Sequence, residues 1–200
     1  MHGPVAFAID DQTDFRPVAP ESRLSGGCSV RTFDGSWLDL ALVPGVLLRL
    51  SSNSEIKIEE LKISKDGNQT RGGMLSRSAR IRLSRGTITV LFSGSDQSTS
   101  QFALSTPTVT VTPDSDCLFR VQRDDTTIRV TCVQGKVHTA SGSQVPVTIG
   151  AGYFQQWPSD RSKPVAATED ATAQIDITDS LEIENNLREL GAGWRNRRPF

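Results

Sequence analysis

Short runs in which apolar and polar residues alternate fill the middle of the chain, rich in Val, Ile, Thr and Phe. Alternation with a period of two places every second side chain on one face, so each run reads as a half-buried strand. The runs cover residues 29–33, 37–42, 46–50, 55–63, 79–83, 87–92, 101–105, 108–112, 117–123, 126–133, 136–139 and 144–149. Turn-forming pairs separate them: Asp34-Gly35, Pro44-Gly45, Asp66-Gly67, Arg85-Gly86, Ser93-Gly94, Gln134-Gly135 and Ser141-Gly142. No helix-length segment lies between the runs to act as a crossover, which favours a sandwich or jelly roll over a parallel sheet. The pattern predicts an all-β, jelly-roll-like antiparallel β-sandwich of about twelve short strands, closed by a short C-terminal α-helix.

The pattern divides the chain. Residues 1–27 form an extended or disordered lead, 28–157 the β domain, 158–178 a linker rich in Ala, Thr, Asp and Ser, and 179–200 a helix with a basic tail. In the last segment Asp179 offers an N-cap and Gly191 a stop, with Ile183, Leu187 and Leu190 on one face. A helix of about twelve residues is marginal alone, so it must dock on its own sandwich or on a partner. Leu187, Leu190 and Trp194 are therefore candidate contact residues.

One hairpin is open to a residue-by-residue reading. With Asp124-Asp125 as its turn, Phe119 faces Val130, Val121 faces Ile128, and Cys117 lies directly opposite Cys132 on the apolar face. Those two cysteines are either a disulfide or a pair of buried thiols acting as small hydrophobes. The same register sets Arg120 against Arg129 on the outer face. Like charges across strands need solvent or an anionic group to relieve them, so both arginines are candidate partner contacts.

Charge and chemistry narrow the function. There are 22 basic and 23 acidic residues, giving a net charge of -1, and the basic ones are scattered, so no footprint for a phosphate backbone forms and nucleic acid is not an expected partner. No stretch reaches the roughly 18 apolar residues that span a bilayer. Residues 1–10 lack the basic start of a secretory signal. His2 and His138 are isolated, no metal-ligand spacing occurs, and adjacent acids such as Glu59-Glu60 point to opposite sides of an extended backbone, so neither a catalytic residue, a metal nor a cofactor is expected. Asp114-Ser115-Asp116 reads as a turn rather than a calcium loop, and Asn68-Gln69-Thr70 is a sequon already explained by its turn.

From Leu47 to Trp157 the order of elements resembles the FecR domain, named for a sensor of the bacterial envelope. The matching pieces are Leu48-Arg49-Leu50 with Asn53-Ser54-Glu55-Ile56, the stretch from Arg80 to Ile88, and Phe102 to Pro107 with its Thr-Pro pair. They continue with Phe119-Arg120-Val121, Val133-Gln134-Gly135-Lys136-Val137 and Ile149-Gly150-Ala151-Gly152. One extra residue near Ser115-Asp116-Cys117 departs from the family's Gly-Thr turn. The cytosolic helical region and membrane span of family members that control sigma factors have no counterpart here. The resemblance implies a non-enzymatic, periplasmic or otherwise extracytoplasmic domain that meets an envelope protein, with no small-molecule ligand indicated. A module binding polysaccharide is the alternative, which a strip of exposed aromatics around Trp37, Tyr153 and Trp157 would favour.

Overall fold

The computed structural model describes residues 1–9, 14–19, 22–65, 74–94, 99–142, 145–159 and 163–196. The expected turn at Asp66-Gly67 and the sequon at Asn68 lie outside them. Among the described residues there are fifteen strands and one long helix. In chain order the strands are β1 Val5–Ala8, β2 Arg16–Pro17, β3 Ser29–Thr32, β4 Leu38–Val43, β5 Val46–Leu50, β6 Glu55–Lys65, β7 Met74–Phe92 and β8 Thr99–Ser105. They continue as β9 Thr110–Pro113, β10 Cys117–Arg123, β11 Ile128–Gln134, β12 Lys136–Ala140, β13 Val147–Gly150, β14 Tyr153–Trp157 and β15 Val165–Ala166. A 3-10 turn, Ala167–Glu169, then leads into α1, Ala171–Asn196.

The strands lie in two layers. One runs β13-β12-β9-β8-β7-β6-β3-β1-β2 and the other β4-β5-β7-β10-β11-β14-β15. Strand β7 belongs to both: its first part pairs with β6 and β8, its last part with β5 and β10. The Arg85-Gly86 pair, expected as a turn, is instead the joint within this 19-residue strand. Gly86 takes φ +85°, and a Cβ there would lie 2.2 Å from Ser54 Oγ, so the crossing needs both a left-handed backbone and an absent side chain. Because the chain crosses layers at Gly86 and returns, β8 lies parallel to β7, the one parallel pair among the described strands.

Alternation does the packing. Leu48, Leu50, Ile56, Ile58, Ile81, Leu83, Ile88, Leu104 and Phe119 are fully buried between the layers. Each such side chain contributes about 1.5–3 kcal/mol relative to exposure.

Both ends differ from the sequence reading. Residues 5–8, read as part of an extended or disordered lead, form a paired strand, β1, which joins β3 through Val5↔Thr32 to Ala8↔Ser29. The helix starts at Ala171, eight residues before the expected Asp179, because Asp170 is the cap: its Oδ1 accepts the Ala173 N–H at 2.8 Å. Nor does Gly191 stop it. A Cβ at that position would lie 2.7 Å from Leu47 Cδ1, so this glycine permits close approach to the sheet.

Candidate functional site

The helix settles where its apolar face goes. On β5, β7, β10 and β11 the outward side chains Leu47, Leu91, Leu118 and Val133 make an apolar patch, and Leu187 caps it at zero exposure with Ile183 and Leu190 beside it. Docking is within the chain. Leu187, a candidate partner contact from its helical face, is therefore consumed by the molecule's own sheet, and Leu190 is half-buried there. The side chain of Trp194 lies outside the described residues.

Toward the N-terminal end of α1 the interface turns polar. Arg120 Nε lies 3.3 Å from Asp176 and its Nη1 3.3 Å from Asp179, while Arg129 Nη1 donates to Asp170 at 2.8 Å. Asp176 is 1% exposed and also accepts from Gln122 Nε2 at 2.7 Å and Thr131 Oγ1 at 3.2 Å. Burial pushes its carboxyl above the ordinary carboxylate range, and Arg120 opposes that push. Burial acts on Asp170 in the same direction, but the Ala173 N–H and Arg129 outweigh it and hold that carboxyl low. Arg129 also stacks 4.9 Å from the Phe154 ring. Both arginines proposed as partner contacts thus meet α1.

The hairpin register is corrected by two residues. Phe119 pairs with Cys132, Val121 with Val130 and Arg123 with Ile128. The turn has four residues instead of two because Asp124 accepts from the Thr126 and Thr127 N–H groups and from Thr127 Oγ1, an Asx arrangement that closes the loop later. Those bonds, led by Thr127 Oγ1, lower the Asp124 pKa to about 2. Arg120 now faces Thr131, and Gln122 faces Arg129, so the like-charge clash does not arise.

The shift also takes Cys117 out of register with Cys132: past a bulge between Leu118 and Phe119 it sits against Gly135, where an added Cβ would lie 2.8 Å from Cys117 Cβ. Cys28, Cys117 and Cys132 are all free and buried, so the disulfide reading gives way to buried thiols. Burial pushes the Cys132 thiol up to about 11 and Cys117 higher still, with the neighbouring Cys132 adding to the shift of Cys117. Unfolding the unreduced protein in iodoacetamide should add three alkyl groups by intact mass; one alkyl group on a chain two protons lighter would contradict the assignment.

Other flagged residues have local partners. His138 Nδ1 meets Thr148 Oγ1 at 3.0 Å, Asp116 accepts the Gly94 N–H at 2.7 Å, Arg82 pairs with Glu59 and Arg80 with Glu60. Among the described residues no group of three or more His, Cys, Asp or Glu is arranged to hold a metal ion, and no helix is long and apolar enough to cross a membrane. An unanticipated pair sits at the β4 edge, where Arg49 forks onto Asp39 at 2.6 and 2.7 Å and stacks 3.9 Å from the Trp37 ring. The signal was a lone arginine in the otherwise apolar run of β5.

At one end of the sandwich an open cleft of about 910 Å³ is lined by Trp157, Ile128, Pro146, Pro158, Asp125 and Lys163, among others. The aromatic strip weighed from sequence does not form. Trp37 precedes edge strand β4, whereas Tyr153 and Trp157 lie on β14, with β5, β7, β10 and β11 between.

The FecR protein family model matches residues 29–138, from the first residue of β3 into β12. No curated protein matches the chain. Two crystal structures of a candidate anti-sigma factor from Parabacteroides distasonis are similar, each at 13% identity, with TM-scores of 0.47 and 0.48. Each similarity covers 68% of this chain, which spans only 57% of their length. The family match takes in more than half of the residues and both layers of the sandwich, and the chain belongs to the FecR family.

Proposed function

We propose that this chain is a non-catalytic module of the bacterial cell envelope that works by protein contact, passing an extracytoplasmic signal from one protein to another. The family match over residues 29–138 carries the reading. The polar groups support it: Arg120 pairs with Asp176 and Arg129 with Asp170 across the helix interface, and none of these four lines the cleft. Contact through Arg120, Arg129 or Leu187 would require α1 to lift from the sheet.

The test is capture of defined proteins. Tagged chain should retain the products of genes adjacent to its own, an envelope receptor or a sigma regulator among them, in reversible cross-linking; retention of none of them would remove the reading. Binding to a glycan polymer is the second reading, favoured by Trp157 on the wall of an open cleft, since aromatic faces stack on sugar rings. Affinity electrophoresis separates the two. Mobility unchanged in gels cast with envelope polysaccharide fits protein contact, whereas retardation that Trp157→Ala abolishes supports the glycan.

A further inference from the structure

Helix α1 is held unevenly along its length. Over residues 171–180 buried polar groups fasten it to the sheet: Asp176 takes Gln122, Thr131 and Arg120, Asp170 just before it takes Arg129, and Ala173, Asp176 and Ser180 are buried. Over residues 181–193, all of them described, Leu187 is the only side chain buried outright, with Ile183 and Leu190 half-buried beside it. The hydrogen bond there from Gln134 to Glu184, at 3.0 Å, is exposed. This second part also contains Asn185, Asn186, Gly191 and Gly193, all weak helix formers.

The sheet beneath divides in the same way. Register places Arg49, Thr89, Arg120 and Thr131 in one row across β5, β7, β10 and β11. The next outward row, Ala41, Leu47, Leu91 and Leu118, runs across β4, β5, β7 and β10 and is wholly apolar, with Val133 of β11 at its end. The second part of α1 is what shields this row from water. Uncovered, it is a contiguous apolar patch of the kind that marks a protein-binding surface.

We infer that residues 181–193 of α1 are a latch, and that the apolar row beneath them is the docking site for an amphipathic helix of a partner protein, which takes the latch's place. This rests on the protein-contact reading and names the surface through which contact is made. The latch shows what fits: apolar residues at i, i+4 and i+7, as in Ile183, Leu187 and Leu190, and an acceptor at i+1 for the Gln134 amide, as in Glu184. A glycine at i+8 is required as well, because a Cβ at Gly191 would lie 2.7 Å from Leu47 Cδ1. Asp176 keeps the first part of the helix fastened while the latch is open, so the domain stays folded.

Residue-resolved hydrogen exchange on the full chain reads the latch. Amides 186–190 should share one rate, at least about a hundredfold faster than amides 175–180, and Leu187→Asp should speed the first group by about tenfold or more and leave the second unchanged. Even protection along the helix, a smooth gradient from its end, or a rise in both groups overturns the latch. Ile183→Asp, at a half-buried position, replaces Leu187→Asp if that chain does not fold. The docking site is read by fluorescence anisotropy with a defined probe, a peptide of residues 181–193 stapled between Glu182 and Asn186. Only the open fraction binds it, so affinity for the Leu187→Asp chain should exceed that for wild type by about tenfold or more, and a probe that itself carries Leu187→Asp should not bind. Equal binding to the two chains, or by the two probes, overturns the site. Capture of a defined envelope protein in equal amount by wild-type and open-latch chains would leave protein contact standing and remove this surface as its means. Probe binding without any captured protein would do the reverse.

Discussion

Asp176→Ala should destabilise the protein by about 3–5 kcal/mol, the usual cost of removing one partner from a buried ionic contact. Gln122 and Thr131 lose their acceptor and Arg120 loses its buried ion-pair partner together, all under the helix. Charge is the smaller part of this. Since burial holds the Asp176 pKa above its unfolded value, folding favours its protonated form, a contribution that is fully present below the unfolded pKa and is lost as pH rises through the folded one. At neutral pH the site thus works chiefly through acceptor geometry, and Asp176→Asn, which keeps shape and one acceptor, should cost much less than Asp176→Ala. Urea unfolding of the three proteins at pH 7 is the measurement; equal losses for Asn and Ala would show that the charge dominates. Asp170 has the opposite sign: its lowered pKa gives stability present above the unfolded value and lost as pH falls through the folded one.

Gly86→Ala should be at least as damaging. A methyl group there meets Ser54 Oγ at 2.2 Å and Ser54 Cα at 2.5 Å on a backbone at φ +85°. Left-handed strain for a side chain is about 1–3 kcal/mol, and here Ser54 must also move, although its hydroxyl accepts the Thr87 N–H at 2.8 Å. A fall in Tm of about 10 °C or more is expected for a chain of this size. Gly35→Ala is the control: φ is +64° there too, but nothing lies within 4 Å of the added Cβ, so strain alone remains. Thermal scans showing equal losses at the two glycines would refute the role given to Ser54.

Strands were readable because burial on one face leaves a period of two in the chain, as in Ser29–Thr32 and Lys136–Ala140. Their joints were less so. Gly86 looks like any turn glycine in sequence, and only the layer opposite shows that it carries one strand between sheets. The hairpin register depended on how many residues Asp124 encloses, a matter of side-chain hydrogen bonds that alternation does not record; the same two-residue error misplaced Cys117, Cys132, Arg120 and Arg129 together. Helix α1 was half visible: Leu187 and Leu190 showed its apolar face, but Ala171–Thr178 mixes its alanines with β-branched Thr172, Ile175, Ile177 and Thr178, and is anchored by Asp170 and by Asp176 beneath it. The Asp176 cluster could not be found without knowing which face of the sheet the helix covers.

Strand β7 has a mechanical consequence. With 19 residues running unbroken through both layers, β7 is the one described strand that both sheets share, and a displacement imposed on one sheet passes along its backbone as well as across side-chain contacts. A load on the β4 edge reaches this strand through one intervening ladder, that of β5, and so is felt by the opposite layer as well.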